Sequence, residues 1–380
     1  MTEEILIVGG GTGGSVLANR LTDRLDSAID AGEARVTVVN DGEYQYYKPT
    51  YLYVPFGKKT VEDAKRPLDD LLNRRVRLVN DRVTTLDTEG KTVDLESGTR
   101  LDYDHLVLAT GTSVVPDEVP GLAEGGHHFY APDGARELRE ALADFEEGHL
   151  VLSVIGVPHM CPAAPVEFTL MVEDWLRERG YREDVEITYT YPIQRAHGLR
   201  SVADWTTDLF EERDINLETF FNPEEVDPDE GTIHTVEGNE LDYDLLVGIP
   251  PHAGSDLVRE AGLGEDGWVD VDSETLEATA AEDVYAIGDV ADVPTSKAGS
   301  VAHYEAGVVA DRIASRVHGR RPTETYEGKT VCFIEAGMNE ASFVEFEYNE
   351  EPTVRAPSKA IHWAKLGYNE SYWLTARGLL

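Results

Sequence analysis

Unbroken apolar runs, rather than alternating ones, mark the first strands of this chain. Ile5-Leu6-Ile7-Val8 has no polar interruption, as expected of a parallel strand covered on both faces. It leads into Gly9-Gly10-Gly11-Thr12-Gly13-Gly14 and then Ser15-Val16-Leu17-Ala18-Asn19-Arg20-Leu21, where the spacing turns helical. Val36-Thr37-Val38-Val39 predicts the next strand, so the chain opens with a βαβ unit. Two later segments resemble each other: Leu101-Asp102-Tyr103-Asp104-His105-Leu106-Val107-Leu108 before Ala109-Thr110-Gly111, and Leu241-Asp242-Tyr243-Asp244-Leu245-Leu246-Val247-Gly248 before Ile249-Pro250-Pro251. Each follows an alternating, meander-like stretch, which predicts two related domains, each closed by a strand returning to its own parallel sheet. His149 to Gly156 opens the second. From about Thr323 the pattern becomes a strand pair, Lys329 to Ala336 and Ala341 to Tyr348, and Ser358 to Arg377 predicts a terminal helix.

Charge then narrows the partners. The chain carries 33 basic and 73 acidic residues, a formal net charge of −40 spread along most of its 380 residues. Nucleic acid is excluded as a partner on that ground. Near ~1 M salt the Debye length falls to ~3 Å and such self-repulsion is screened, so the acidity reads as adaptation to a saline cytosol. The exception is the tail, where Arg355, Lys359, Lys365 and Arg377 face a single acid, Glu370. Two cysteines, Cys161 and Cys332, exclude a disulfide scaffold and a four-cysteine zinc site, and no metal site is predicted. The first residues lack a basic and apolar leader, and no run of 18 apolar residues occurs, so an intracellular protein that does not span a membrane is expected.

Gly9-x-Gly11-x-x-Gly14 between a strand and a helix lets backbone approach a pyrophosphate at the helix N-terminus. At the end of the second strand, where an acid usually meets the ribose, stand Asn40 and Asp41, and the choice between them is open. Val284-Tyr285-Ala286-Ile287-Gly288-Asp289 resembles the second FAD motif of the flavoprotein disulfide reductase superfamily, in which the Asp binds the ribityl chain, and Ala109-Thr110-Gly111 resembles its intermediate motif. The resemblance implies FAD, held by Gly9, Gly11, Gly14, Asn40 or Asp41, Thr110, Gly111, Gly288 and Asp289. A nicotinamide-using relative would carry a second glycine motif after the strand at Val151 to Ile155. Here Gly156-Val157-Pro158-His159-Met160-Cys161-Pro162 fills that place, and electrons are expected from another donor.

Cys161-Pro162-Ala163-Ala164-Pro165-Val166-Glu167, Val331-Cys332-Phe333-Ile334-Glu335-x-Gly337, and His362-Trp363-Ala364-Lys365 with Tyr372-Trp373 resemble the two redox-cysteine segments and the membrane-binding tail of sulfide:quinone oxidoreductases. Over nearly the whole chain the resemblance implies tandem Rossmann-like α/β domains with parallel sheets and a small C-terminal membrane-contacting region: 1–112 and 253–322 as the FAD-binding domain, 113–252 as the second domain, 323–380 as strand pair and amphipathic helix. It further implies sulfide as donor, Cys161 and Cys332 as the catalytic pair, and a membrane quinone as acceptor. Lys297, His303 (with Glu305 nearby) and Lys365 are the candidates on the quinone side. Sulfide is oxidised naturally by attack on a disulfide or polysulfide. Tyr130 stands where many members have a third cysteine, which implies noncovalent FAD. Ile361, Ala364, Tyr368 and Tyr372 are expected on one helix face, with Trp363 and Trp373 at a bilayer interface, placing the protein on the inner face of the cell membrane. Homo-oligomer formation is left open. The rival readings are a type II NADH:quinone oxidoreductase and a flavoprotein subunit that docks a cytochrome.

Overall fold

The computed structural model describes residues 2–379. Along the chain come strand β1 (Glu3–Val8), helix α1 (Thr12–Arg24) and strands β2 (Ala34–Asn40), β3 (Arg77–Asn80) and β4 (His105–Leu108). Next are β5 (Gly126–His127), β6 (Gly148–Val154), helix α2 (Ala164–Arg179), β7 (Val185–Tyr191), β8 (Asn216–Thr219) and β9 (Leu245–Ile249). The chain closes with β10 (Val284–Ala286), helix α3 (Gly299–Val317), the hairpin β11 (Thr330–Glu335) and β12 (Ala341–Phe346), and helix α4 (Lys359–Ala376).

Two five-stranded sheets result, in the orders β10-β4-β1-β2-β3 and β5-β9-β6-β7-β8, and every pairing within them is parallel. Each carries a three-stranded antiparallel meander, 83–102 and 223–242, just before the strand that returns to the sheet beside its central strand. Burial on both faces explains the unbroken apolar runs: Ile5 to Val8, Leu106 to Leu108 and Leu150 to Leu152 are all buried. The late strand β10 joins the first sheet beside β4, so the Gly288-Asp289 turn arrives at the same C-terminal end of the parallel strands as the first glycine loop. Helices α1 and α3 pack together through Val16, Leu17, Leu21, Val309 and Ile313, each fully buried and worth roughly 1.5–3 kcal/mol.

The hairpin that carries Cys332 is fastened to the second sheet by a buried carboxylate. Glu173 on α2 is wholly inaccessible and meets Arg213 at 3.2 Å, Arg182 at 3.3 Å and Arg177, while Arg213 also donates to the Ala336 carbonyl at 2.7 Å. A buried charge surrounded in this way is compensated, and loss of one partner would leave it bare.

Helix α4 differs from the expected orientation. His362, Lys365, Tyr372 and Ala376 form its buried seam, and Tyr372 meets Thr12 at 2.8 Å and also Gln45. Tyr372 therefore does not share an outward face with Ala364 and Tyr368. Polar groups on α1 and near Gln45 offer its hydroxyl partners that a lipid face lacks. Asn19 donates to the Ala376 carbonyl at 2.7 Å, which holds the helix end on α1.

Candidate functional site

Glycine chemistry positions a dinucleotide at the end of β1. A side chain at Gly14 would strike the Gly9 carbonyl at 1.9 Å and one at Gly9, whose φ is +106°, would strike Ala109 O at 2.4 Å, so both are fixed by close backbone packing. Gly11 differs: a Cβ there meets nothing within 4 Å, leaving a backbone cradle open at the N-terminus of α1. That helix has no side-chain cap and no acid in its first turn, so its amides and dipole remain available to a pyrophosphate. The residues present thus fit FAD. Asn40 accepts from Gly10 N at 2.7 Å and donates to the Gly42 carbonyl at 2.8 Å, bracing the loop, whereas Asp41 is exposed and paired with Arg82 at 2.7 Å. Thr110 and Gly111 follow β4 next to Gly9, and Gly111 and Gly288 take φ values of +69° and +74°. The Asp289 carboxyl is pushed up by burial and drawn back by Lys48 and Lys297.

Cys161 and Cys332, far apart in sequence, line one narrow chamber with Pro162, Leu199, Val202, Ile334, Val344 and Phe346. Cys161 sits in the left-handed region, φ +49°, a conformation costing on the order of 1 kcal/mol in a non-glycine residue. The strain is held from both sides: Cys161 N donates to Lys297 O at 2.7 Å, and Ala164 N donates to Cys161 O at 2.9 Å. Burial first, then Glu167 and Cys332, pushes the Cys161 thiol far up, and burial with Glu167 pushes Cys332 up to about 12. A thiolate set free here is high in energy and gives up its electrons readily to a neighbouring acceptor.

Behind the chamber lies a network that sequence reasoning assigned only in part. Lys365 donates to Glu167 and stands 3.8 Å from Glu335; Glu335 accepts from Tyr53 at 2.7 Å and pairs with His362 at 2.9 Å; Glu335 N donates to Glu167 at 2.7 Å. Lys365 is 6% exposed, so it is not one of the tail's surface cations. Its ammonium is held up by Glu167, Tyr53 and Glu335 against burial, which pulls it down and is the largest influence on it. The signal for this network was present as Cys332-x-x-Glu335 and His362-x-x-Lys365, but pairing across 198 residues is not readable from spacing.

The other two quinone-side candidates lie elsewhere. Lys297 donates to the carbonyls of Asp289 at 2.7 Å and Ala291 at 3.4 Å and covers the Trp268 ring at 4.0 Å. His303 meets Arg20 at 2.9 Å between α1 and α3, where burial and that guanidinium lower its imidazole to about 4. Neither lines the cysteine chamber.

Glu305 on α3 accepts from Gly288 N at 2.6 Å, and its other oxygen is buried without a partner. Burial, the largest influence, pushes its carboxyl up to about 8; Asp289 adds to this, while Gly288 N and Lys297 oppose it. In the unfolded chain the group ionises near its ordinary 4.5. Its contribution to stability is therefore complete below that value and is lost as pH rises through 8, at about 1.4 kcal/mol per unit. Glu305→Gln keeps an acceptor for Gly288 N and removes the ionisation. Its melting temperature should exceed that of the parent by a margin that widens from pH 5 to pH 8; parallel melting curves would contradict the assignment.

Comparison with known proteins places these features in a family. The family described as pyridine nucleotide-disulphide oxidoreductase matches residues 3–308. The mitochondrial sulfide:quinone oxidoreductase of Mus musculus is 27% identical over 366 residues, covering 93% of this chain and 80% of that protein. Its counterpart from Dictyostelium discoideum is 26% identical, covering 92% of this chain and 78% of that one. Among solved structures, the sulfide:quinone oxidoreductase of Aquifex aeolicus superposes with a TM-score of 0.87 at 22% identity, over 99% of this chain and 92% of that one. The glycine loop, the two parallel sheets and the returning Gly-Asp strand lie within or across the matched span, and the chain belongs to the pyridine nucleotide-disulphide oxidoreductase family.

Proposed function

We propose that this flavoprotein oxidises sulfide and passes the electrons to a membrane quinone. The observation that carries the reading is the shared chamber: the two cysteines of the chain meet in an apolar pocket, walled by the segment that replaces a nicotinamide-binding glycine loop. Relatives over more than nine-tenths of the chain are named for this activity.

Bound FAD supplies a two-electron acceptor that quinone reoxidises. The chain's own residues do the rest. Gly11 and the α1 amides bind the pyrophosphate, and Gly288-Asp289 takes the ribityl chain. With the cysteines oxidised, hydrosulfide attacks one sulfur, leaving a persulfide there and a thiolate on the other cysteine. The apolar walls exclude water, and the buried site disfavours the thiolate until its electrons move on. Sulfur departs as polysulfide or as a persulfide on an acceptor thiol. Lys365, paired with Glu167 and close to Glu335, is the group we assign to balance charge as electrons pass and to relay a proton toward quinone. Tyr130, buried and donating to the Cys161 carbonyl at 3.4 Å, offers no thiol for a covalent link, so the flavin is held noncovalently. No helix among the described residues is long and apolar enough to cross a membrane. The outward face of α4 is the contact with the bilayer, on its cytoplasmic side.

Anaerobic titration of the holoprotein with sulfide and, separately, with NADH tests the reading. Sulfide is expected to bleach the flavin absorbance, and a short-chain quinone to restore it. Bleaching by NADH alone would favour the type II NADH:quinone oxidoreductase reading.

A further inference from the structure

Helix α4 holds the glycine-loop helix by a run of polar contacts. Thr12, Ser15 and Asn19 stand at i, i+3 and i+7 on α1 and therefore share one face of it. Each is tied to α4. Thr12 Oγ1 meets the Tyr372 hydroxyl at 2.8 Å. Gln45, in the short strand Tyr44–Tyr46, bonds to the same hydroxyl and accepts from Ser15 Oγ at 3.2 Å, and Ser15 Oγ also donates to the Gly11 carbonyl at 2.8 Å. Asn19 donates to the carbonyls of Ala376 at 2.7 Å and Leu71 at 3.0 Å and accepts from Asn73 N at 2.7 Å. The Tyr372 ring is stacked on Tyr47 with 3.9 Å between centroids.

These groups converge on the turn that faces the cofactor. Ser15 N is bonded to Gly11 O at 3.0 Å, as the helix requires. The amides of Thr12, Gly13 and Gly14 precede it and have no carbonyl to meet within the helix, which leaves them to the pyrophosphate. Ser15, Asn19, Gln45 and Tyr372 are all buried. Apolar side chains would suffice to pack α4 on α1, and buried polar ones cost free energy unless they are matched. What the polar set adds is direction: with Thr12 and Ser15 held, the turn between Gly11 and Ser15 has one orientation. The first half of α4 is anchored separately, through His362 to Glu335 and Lys365 to Glu167, so the half that carries Tyr372 is delivered to α1 from a fixed start.

We infer that Tyr372 is a positioning residue for the cofactor: through Thr12 directly, and through Gln45 and Ser15, it sets the first turn of α1 against the FAD pyrophosphate. This rests on the assignment of the pyrophosphate to the Gly11 cradle. Seating of α4 and binding of FAD accordingly favour one another, each strengthening the other by the same factor.

Tyr372→Phe keeps the stacking on Tyr47 and removes only the hydroxyl. Flavin released on diluting the holoprotein, followed by its fluorescence, gives the dissociation constant. It should rise about tenfold in Tyr372→Phe and similarly in Thr12→Val. The double variant should bind no more weakly than the worse single one, because both substitutions remove the same contact. A hydroxyl that serves only the packing of α4 would lower the melting temperature and leave the dissociation constant unchanged, and that result overturns the inference, as do two losses that add in full. Amide hydrogen exchange in the parent needs no variant and decides the matter should Tyr372→Phe fail to fold. Amides 371–376 should exchange more slowly in the holoprotein than after flavin removal; equal exchange would overturn the inference. Gly11→Val separates the premise from the inference, since a Cβ there meets no protein atom within 4 Å and a loss of FAD reports the ligand. Parental affinity in that variant fells the cradle assignment and this inference with it, whereas a weakened Gly11→Val beside a parental Tyr372→Phe fells the inference alone.

Discussion

Cys161→Ser and Cys332→Ser proteins are each expected to retain FAD and to lose sulfide-dependent flavin reduction by on the order of 10³-fold or more. Sulfur–sulfur exchange needs a sulfur at both positions, and a serine hydroxyl neither forms the disulfide nor carries the persulfide. The cofactor contacts are independent of them: the open cradle at Gly11, the uncapped start of α1 and the Gly288-Asp289 turn belong to the first sheet, while the thiols line a chamber between the α2 loop and the β11–β12 hairpin. Serine is close in size to cysteine, and both side chains are only partly buried, so packing should survive. Flavin absorbance at equal protein concentration checks binding, and anaerobic stopped-flow checks reduction. Either variant within tenfold of the parental rate would return that cysteine to a merely structural part.

Much of this architecture was legible because its signals are local. Ile5 to Val8, the glycines after them and the helical spacing from Ser15 specify a βαβ unit without outside help, and the repeated Leu-Asp-Tyr-Asp segments mark the strands that return to each sheet. Burial on both faces leaves little choice of residue there. The glycine pattern could be read down to its chemistry: Gly9 and Gly14 serve backbone packing, while Gly11 serves the ligand.

What could not be read depends on partners distant in sequence. Lys365 has the look of one more cation in a basic tail, yet it is turned inward because Glu167 and Glu335 wait there, on a helix and a strand no periodicity links to it. The same inward pull rotates α4, so that Tyr372 faces Thr12 and Gln45 rather than lipid. Periodicity fixes which residues share a face but not which face turns to the core when both carry aromatic rings.

The rotation of α4 sharpens the expected membrane contact. With its buried seam at His362, Lys365, Tyr372 and Ala376, the outward side presents Ala360, Trp363, Ala364, Gly367, Tyr368 and Leu374, with Glu370 as the one acid among them, on a chain of net charge −40. Trp363 is 69% exposed and Leu374 44%, and at eleven residues apart they fall on nearly the same line of the helix. Ordinary surface positions in so acidic a chain would be expected to carry carboxylates. Arg355, Lys359 and Arg377 remain exposed at its ends, and Glu370 is engaged by Lys59. At ~25 cal/mol per Å², sinking one tryptophan and one leucine is worth roughly 3–5 kcal/mol, enough for interfacial binding when ~1 M salt has screened lipid charge. Trp363→Glu with Leu374→Glu should therefore abolish flotation with liposomes and slow quinone-dependent turnover, while single-turnover bleaching by sulfide continues, because neither side chain lines the cysteine chamber or reaches the buried seam. Parental binding should persist in high salt. Release of the parent by salt alone, or flotation of the double variant, would mean that this face is not the anchor and that quinone reaches the flavin from another side.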